Sequence, residues 1–334
     1  MRLSDFDFDL PEASIAQEPA ADRAGARMLV VDRAQGCWHD RWFRDFPDFV
    51  HPGDCLIFNN SKVFPARLLG TRAAPFTGAV EVFLLRALSP DHLTWSALVH
   101  PGRKLRTGER VRFGDLEAQI LGRGEFGERT LRFDYTGDIF EALHAIGHVP
   151  LPPYIKRPDR PEDRDRYQTV FAKHPGSVAA PTAGLHFTPE IVEACRKNGA
   201  EVAYVTLHVG LGTFQPLRIE EVEKAKLHEE AFSISAGDEA KIRTARRRIC
   251  VGTTSVRSVE SAYRGRTGET DLFIYPGFSF QATNAMLTNF HLPKSSLLVL
   301  VCALAGTELV LSAYRHAVAA GYRFYSYGDC MLIL

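Results

Sequence analysis

Three stretches of the sequence combine hydroxyl side chains and glycine within a few residues of one another, 177–188, 208–216 and 252–261, and the first two also contain histidine. Hydroxyl oxygens and backbone N–H groups bind polar ligands, and histidine exchanges protons near neutral pH. The stretches are therefore candidate parts of a ligand site. Their chemistry-bearing members are Thr182, Gly184 and His186 in the first, His208 and Thr213 in the second, and Thr254, Arg257 and Glu260 in the third.

The first stretch carries no charged side chain apart from its histidine, and it runs directly into a predicted helix. Thr188 suits the N-cap of that helix, Pro189 its first position, and Glu190 the positive end of its dipole. An uncharged loop at a helix N-terminus offers N–H groups to a polar ligand. A tight buried connection would have the same composition, so the sequence leaves both interpretations open.

Polar residues also follow the apolar strand predicted at 55–58, where Asn60 lies in the run Asn-Asn-Ser-Lys. Such a position is a common place for a ligand, although the same residue types also form ordinary turns. Two later stretches are polar as well. His291 and Lys294 precede a predicted helix, and Asp329 lies in the final stretch.

The elements that would position these residues alternate between strand and helix. Strands are predicted at 28–32, 201–207 and 249–251, and helices follow the stretches that begin at 188 and 252. This alternation predicts an α/β fold with a mixed, largely parallel sheet, in which the polar loops gather at one edge. We also predict a short helical turn at 42–46 stopped by Pro47, a helix near 219–227, a helix ending in the basic run 246–248, and a strand at 271–275.

The pattern of predicted elements changes between about 71 and 148, where short strand-like runs follow one another with turn signals and no helix between them. This spacing is typical of a small β-barrel. We therefore predict an inserted barrel domain at 71–148, within a discontinuous α/β catalytic domain made of 1–70 and 149–334. The G-x-G-x-x-G run at 122–127 lies between two alternating strands, so it indicates a hairpin loop and not a dinucleotide site.

The chain has 334 residues, of which 45% are hydrophobic and 24% charged, as in a soluble globular protein. Its 40 basic and 40 acidic residues balance, so nucleic acid could bind only through local patches. The segment 156–167 mixes both signs and contains Arg157, Arg164 and Arg166. It is either a self-paired solvated loop or a phosphate-facing one, because arginine forks fit phosphate.

Six cysteines are scattered singly, which suggests neither a zinc site nor a disulfide framework. The first residues are acidic and aromatic, unlike a signal peptide, and the longest apolar run, 297–305, is too short to cross a bilayer. We expect a reduced, cytoplasmic protein.

Together these motifs resemble the S-adenosylmethionine:tRNA ribosyltransferase-isomerases of queuosine biosynthesis. The resemblance runs from end to end, with two departures: His228-Glu229-Glu230 lacks the serine that the family pattern has in the middle, and the predicted barrel region is only loosely similar. The segments that carry it are 5–11, 165–170, 180–188, 207–216, 252–257, 288–295 and 327–329.

The resemblance implies an α/β enzyme with an inserted β-barrel that uses S-adenosylmethionine as a ribosyl donor. The sequence shows no metal-ligand spacing and proton transfer needs no metal, so we expect activity without one. The ribosyl part would pass to 7-aminomethyl-7-deazaguanine at the wobble anticodon position of tRNA and be isomerised. The product would be epoxyqueuosine-tRNA, with adenine and methionine released. Such a reaction needs a base for the proton beside the sulfonium and an acid where adenine leaves, and histidine suits both roles.

Site roles follow from that implied chemistry. Arg257 would hold the methionine carboxylate, unless it forms an ion pair with Glu260 on the helix surface. The protein would act as a monomer, with tRNA and S-adenosylmethionine as partners. The expected catalytic residues are His186, His208, Glu260 and Asp329. The expected substrate-binding residues are Asn60, Thr182, Gly184, Thr213, Thr254, Arg257, His291 and Lys294, and the expected tRNA-binding residues are Arg157, Arg164 and Arg166.

Two other functions compete with this one. A conventional S-adenosylmethionine-dependent tRNA methyltransferase usually has a glycine-rich turn after its first strand, and the region after 28–32 lacks one. A non-catalytic RNA-binding module would need fewer hydroxyl-rich loops than this chain has. Release of free adenine distinguishes the ribosyltransferase from both.

Overall fold

The structure is a computed structural model that describes residues 1–102, 105–124, 127–210 and 219–334. Its strands are β1 (Arg27–Asp32), β2 (Cys37–Trp42), β3 (Asp54–Asn59), β4 (Ser61–Val63), β5 (Arg67–Arg72), β6 (Ala79–Ala87), β7 (Thr94–His100), β8 (Arg110–Phe113), β9 (Leu116–Arg123), β10 (Glu128–Asp134), β11 (His174–Ser177), β12 (Glu201–Leu207), β13 (Glu230–Ile234), β14 (Arg247–Val251), β15 (Gly268–Thr270), β16 (Ala285–Asn289) and β17 (Cys330–Ile333).

The α-helices are α1 (Ile139–Ile146), α2 (Asp163–Arg166), α3 (Pro189–Lys197), α4 (Ala236–Thr244), α5 (Thr253–Tyr263), α6 (Ser296–Ala305) and α7 (Thr307–Ala319). The predicted start of α3 is confirmed, because the Thr188 hydroxyl accepts the N–H of Ile191 at 3.4 Å. Ser235 caps α4 in the same way.

A mixed nine-stranded sheet forms the main body, in the order β15-β13-β12-β3-β14-β16-β17-β1-β2. Its centre is parallel: β12 and β14 flank β3, and β16 lies beside β14. All six residues of β3 are buried, as expected for a strand covered on both faces. Apolar side chains fill a core on each face of the sheet. The predicted α/β fold is therefore confirmed.

The parallel pairing brings the carboxyl ends of β12, β3, β14 and β16 to one edge of the sheet, in that spatial order. We call this the carboxyl edge. The loops after these strands begin at His208, Asn60, Gly252 and Phe290 respectively. Four of the predicted polar stretches thus leave the sheet side by side.

Six antiparallel strands close into a barrel in the order β10-β7-β6-β5-β8-β9. Alternate side chains point inward, as in β9, where Leu116, Ala118 and Ile120 are buried. Helix α1 adds Ile139 and Leu143 to the barrel core. The closed barrel confirms the predicted β-domain, while the exact division at 71 and 148 stays a prediction.

Four local predictions are wrong. Residues 43–49 form a 3₁₀ helix that continues through Pro47, whose carbonyl accepts the N–H of Val50. The segment 219–227 contains only a 3₁₀ turn at Val222–Lys224, because the Glu220 carbonyl and the Val222 N–H bond the N-terminal segment.

The third error is the strand predicted at 271–275, which is not a strand. The Leu272 carbonyl accepts a hydrogen bond from the side chain of Arg257 at 3.0 Å and so does not join a ladder. The basic run 246–248 also lies mostly in β14, after α4 has ended at Thr244.

No single helix in the described ranges has both the length and the apolar character needed to cross a membrane. Helices α6 and α7 reach that length only as a pair, and the pair is bent by 116°. Both helices contribute side chains to the sheet core.

Candidate active site

The buried side chain of Asn59 ties the carboxyl edge together. Its amide nitrogen donates to the Leu207 carbonyl at 3.0 Å and to the Thr254 hydroxyl at 3.2 Å. Its amide oxygen accepts from the N–H groups of Leu207 and Ser61, both at 3.1 Å. One side chain therefore fixes the end of β12, the start of β4 and the first turn of α5 relative to β3.

The segment 177–187 runs along the carboxyl edge from one side to the other. At one end, the Ser177 hydroxyl accepts the N–H of Val209 at 2.9 Å. At the other end, the His186 ring bonds Asn289 at the end of β16. Gly184 lies where a Cβ atom would approach Phe171 to 2.7 Å, so the close packing requires glycine. The first sequence motif is thus a cover for the strand ends.

A cavity of about 1350 Å³ lies between the barrel and the β12 side of this edge. It contains histidines and acidic side chains from both bodies together with apolar surface. The barrel side includes His92, Trp95, Glu128 and Phe140. The sheet side includes His208, Gly210, Glu229, Glu230, Arg257 and Leu272.

His208 borders this cavity directly after β12. Burial, and then the nearby His174 and His92, lower the pKa of His208 from its ordinary value, because both effects disfavour a charged imidazole. Its Nδ1 atom is buried and has no hydrogen-bond partner within the described part of the chain. Gly176 packs on the ring so closely that a Cβ atom there would lie 2.9 Å from Nδ1. The structure thus holds a neutral imidazole in place and leaves one ring nitrogen without a partner.

Arg257 lies on α5, is buried, and forms an ion pair with Glu230 of β13. Its Nε also donates to the Leu272 carbonyl at 3.0 Å, while the second carboxylate oxygen of Glu230 accepts the Gly210 N–H at 2.9 Å. The alternative pairing of Arg257 with Glu260 is therefore wrong. A buried guanidinium and a buried carboxylate both face the cavity.

Glu260 and Asp329, predicted as catalytic, direct their carboxylates into the fold. Glu260 is fully buried and accepts the N–H groups of Gln281, Ala282 and Thr283. Burial alone would raise the pKa of Glu260, but these donors and Arg264 outweigh it and lower the pKa. Asp329 accepts the Arg27 N–H at 2.9 Å and the Arg323 N–H at 2.8 Å. This geometry favours structural roles for both acids.

The other two histidines of the motif loops are buried away from the large cavity. Burial lowers the pKa of His186 to about 4 and that of His291 to about 3. His186 Nε2 lies 3.0 Å from the Asn289 amide oxygen, and His291 Nε2 lies 2.9 Å from the Thr288 hydroxyl. Asn289 donates its amide nitrogen to the Tyr325 carbonyl, so its oxygen faces the imidazole and His186 carries its proton on Nε2.

His186 and His208 do not share a pocket among the described residues. His186 lines a small cleft of about 30 Å³ with Arg23, Arg166 and Tyr327. Its partner Asn289 ends β16, three strands away from the end of β12. At about 4.8 Å per strand this separates the two loops by roughly 14 Å. The prediction that the strand-end loops meet at one edge is confirmed, but the edge is too wide for both histidines to reach the same atom.

The remaining expected substrate residues are spread over this edge. The Asn60 amide oxygen accepts a hydrogen bond from the Thr206 hydroxyl at 2.7 Å. The Thr254 hydroxyl accepts one from the Asn59 amide nitrogen. Thr182 is partly buried at the start of the 3₁₀ turn that leads to His186. Lys294 is half-exposed and pairs with Asp7 at 2.6 Å. Thr213 lies outside the described residues.

The three expected tRNA-binding arginines use their guanidinium groups within the protein. Arg157 forms two hydrogen bonds with Asp163, at 2.7 and 2.9 Å. Arg164 donates to the His144 and Gly147 carbonyls at the end of α1, and Arg166 donates to the carbonyls of residues 20 and 21. Of the two interpretations of this segment, the geometry favours the self-paired one.

The sequence prediction did not include several groups that the structure brings to the cavity. His92 lies in the turn before β7 with a φ of 53°, and no spacing in the sequence links it to His208. Glu230 lies in the run 228–230. Its partner Arg257 is distant in the sequence, so no local pattern indicated that Glu230 would be buried at the cavity. Within the described ranges, no group of three or more His, Cys, Asp and Glu side chains is arranged to hold a metal ion.

Comparison with known proteins adds to this geometry. The family model described as "Queuosine biosynthesis protein" matches residues 3–333. A relative from Solibacter usitatus is 62% identical over 352 residues, and one from Symbiobacterium thermophilum is 49% identical over 346 residues. In both cases 100% of each chain is covered, and both are named S-adenosylmethionine:tRNA ribosyltransferase-isomerase.

A crystal structure of S-adenosylmethionine tRNA ribosyltransferase from Thermotoga maritima is similar in fold. It is 37% identical in sequence, covers 99% of this chain and 100% of its own, and superposes with a TM-score of 0.57. The sequence match, the strand-end motifs and the inserted barrel agree. The chain therefore belongs to the queuosine biosynthesis protein family.

Proposed function

We propose that the protein transfers and isomerises the ribosyl moiety of S-adenosylmethionine onto 7-aminomethyl-7-deazaguanine at the wobble anticodon position of tRNA. The products are epoxyqueuosine-tRNA, adenine and methionine. The names of full-length relatives at 49–62% identity support this proposal. S-adenosylmethionine serves as a co-substrate that supplies the sugar.

The observation that carries the proposal is the position of His208, which lines the large cavity directly after β12. Small-molecule pockets have volumes of about 300–1,000 Å³. The cavity of about 1350 Å³ is larger, which suits a site that must admit a nucleotide of the RNA beside the small co-substrate. The barrel side of the cavity would then exclude water from one face of that site.

His208 is the proposed base. A neutral imidazole can take the proton from the 5′ carbon beside the sulfonium, and the bond electrons remain on that carbon, where the positive sulfur stabilises them. Because its pKa is lowered, His208 is neutral at pH 7 without further tuning. The position of His208 on the cavity wall supports this role, and we assign His186 no part in the step.

The buried ion pair is the proposed site for the methionine part of the co-substrate. Arg257 can hold a carboxylate with two parallel hydrogen bonds, and Glu230 can face the neighbouring ammonium or sulfonium charge. In the structure Arg257 is paired with Glu230. The methionine carboxylate must therefore share the guanidinium with Glu230 or displace Glu230 from it. His186, Glu260 and Asp329 then hold the edge in shape and do not touch the reacting atoms.

We further propose that the acid for the departing adenine lies on the same cavity as His208. His92 is on the barrel wall, and asparagine tolerates its positive φ. The variant His92→Asn should therefore fold, and a drop of about 10²-fold or more in adenine release would support the assignment. Release within a few-fold of the parent protein would move the acid to another group.

No step assigned here calls for a metal, so a chelator should leave turnover unchanged. Loss of turnover that one specific metal restores would contradict this. We also propose that the protein acts in the cytoplasm as a monomer. Light scattering at working concentration tests the oligomeric state.

The experiment that tests the function is incubation of the protein with S-adenosylmethionine and tRNA that carries the deazaguanine precursor. Nucleoside mass spectrometry should show epoxyqueuosine, with adenine and methionine released in equal amounts. His208→Asn is the matched negative control. Formation of S-adenosylhomocysteine without adenine would indicate a methyltransferase, and binding without any product would indicate an RNA-binding module.

A further inference from the structure

The two-stranded ribbon of β4 and β11 lies beside the cavity and carries exposed cationic side chains. The strands are parallel, with His174 opposite Ser61 and Pro175 opposite Lys62. Lys62 is exposed between two buried neighbours, and Lys173 and His174 are exposed at the start of β11.

The pairing of β4 with β11 brings the two lysines near one another. The Asn60 carbonyl accepts the N–H groups of Lys173 and His174 at 2.8 and 3.2 Å, and Asn60 is two residues before Lys62. With a rise of about 3.3 Å per residue and a strand spacing of about 4.8 Å, the two Cα atoms are roughly 8 Å apart.

Within the described part of the chain, neither lysine lies within 4 Å of a carboxylate. The two arginines that line the cavity are paired, Arg86 with Glu269 and Arg257 with Glu230, whereas Lys226, which also lines it, resembles the two ribbon lysines in having no carboxylate partner among the described residues. Arg157, Arg164 and Arg166 are likewise held inside the protein by Asp163 and by backbone carbonyls. The two lysines thus provide positive charge that the protein itself does not use.

The ribbon also leads directly into the proposed active site. Pro175 and Gly176 line the cavity, and Gly176 packs on the ring of His208. A nucleic acid strand held on the ribbon would therefore have a nucleotide within reach of the imidazole. Phosphate contacts of this kind position a substrate without reading its sequence.

We propose that Lys62 and Lys173 bind backbone phosphates of the tRNA anticodon loop and so place the modified base in the cavity beside His208. This inference rests on the proposed function, because it takes the partner to be that tRNA. The lysines are positioning residues and do not touch the reacting atoms.

The test measures how tRNA affinity depends on salt for the parent protein, Lys62→Gln, Lys173→Gln and the double variant. Each lost phosphate contact should reduce the slope of log affinity against log salt by about 0.7–1 unit. Between about 50 and 200 mM salt, the parent should then lose roughly three-fold more affinity than each single variant, and roughly ten-fold more than the double variant. An isolated anticodon stem-loop should give the same differences.

Lys197→Gln is the matched control. Lys197 is also exposed, but it ends α3 near the start of β12, at the opposite edge of the sheet. Its slope should equal that of the parent. Lys62→Arg and Lys173→Arg keep the charge and should restore the parent slope, which separates a charge effect from altered folding. Equilibrium affinity for S-adenosylmethionine should not change in any of these variants.

Parent slopes in both lysine variants, or differences that vanish with the stem-loop, would overturn the inference. Failure of the proposed function looks different. In that case the parent forms no epoxyqueuosine, whereas lysine-dependent binding of the stem-loop would still establish the phosphate surface.

Discussion

His208 combines a lowered pKa, a buried unpartnered ring nitrogen and a place on the cavity wall. We predict that His208→Asn lowers turnover by about 10²–10⁴-fold, since general acid–base help typically contributes that much. Affinity for S-adenosylmethionine should stay close to that of the parent. Single-turnover kinetics and equilibrium binding measure the two effects separately.

The pH profile provides the control for that variant. A base whose pKa is lowered stays active as the pH falls, so the acidic limb of kcat/KM should lie below pH 6.5 and should be absent in His208→Asn. If the variant folds and turns over within a few-fold of the parent, the imidazole only supports the structure.

His186 should make stability depend on pH. Its folded pKa is about 4 and its unfolded pKa about 6.5, so the unfolded chain binds the extra proton between these values. Stability contributed by the neutral ring is therefore fully present above pH 6.5, falls as the pH drops, and is lost below pH 4. The difference of about 2.5 units corresponds to about 3 kcal/mol.

Urea unfolding at pH 7 and pH 4.5 tests this prediction on the parent and on His186→Gln, whose amide can still donate to Asn289. The parent should lose more unfolding free energy than the variant between these two values. Equal losses would show that other groups cause the acid sensitivity.

The sequence indicated which residues lie near the candidate site, but it did not indicate which partner each side chain contacts. Histidines in glycine- and hydroxyl-rich loops marked the carboxyl edge correctly. The sequence did not show that three backbone N–H groups occupy Glu260, because residues 281–283 reach it only through the tertiary fold. Arg257 of α5 was predicted to hold a substrate carboxylate, yet it pairs with buried Glu230 of β13, which is 27 residues away in the sequence.

At the scale of elements, Glu260 joins α5 to the segment that leads into β16. We predict that Glu260→Gln lowers the free energy of unfolding by about 3 kcal/mol, because an amide nitrogen at the oxygen shared by the Gln281 N–H and the Arg264 guanidinium leaves both donors without an acceptor. Turnover per folded molecule should be nearly unchanged. Denaturant unfolding together with active-site titration checks both statements.

If Glu260→Gln is as stable as the parent but loses most of its turnover, Glu260 has a chemical role. Glu239→Gln is a suitable control, since its ion pair with Arg243 is on the exposed face of α4 and contributes at most about 0.5 kcal/mol.

Elements with a strong local pattern were predicted well. The alternation of β9, the Thr188 cap of α3 and the apolar run of β3 are local signals, and each is confirmed. Segment 271–275 has the residue types of a strand, but its backbone bonds an arginine side chain. The strand prediction was wrong because this hydrogen-bond donor, Arg257, is distant in the sequence and does not appear in any local pattern.

At the scale of the whole molecule, the balanced charge makes the position of each free cation decisive. We predict that Arg164→Gln leaves the salt slope of tRNA binding unchanged, because this guanidinium already binds two carbonyls at the end of α1. Stability should fall by about 1–2 kcal/mol as those contacts are lost. Filter binding at several salt concentrations and thermal unfolding provide the two measurements.

If Arg164→Gln reduces the salt slope of tRNA binding and leaves stability unchanged, Arg164 contacts the RNA as the sequence predicted. The result bears on how the barrel is held, since Arg164 joins the segment after the barrel to the helix that closes the barrel core.

The pairing of β1 with β17 has a consequence for how the protein is made. Met28 lies opposite Cys330, so β1 must wait for a partner about 300 residues later in the chain. Contacts of such long sequence separation form slowly, and in the nascent chain the apolar strand β1, paired only with β2, keeps one edge unpaired meanwhile. We therefore expect refolding to be slow and concentration-sensitive, and chaperones that shield strand edges to raise the yield.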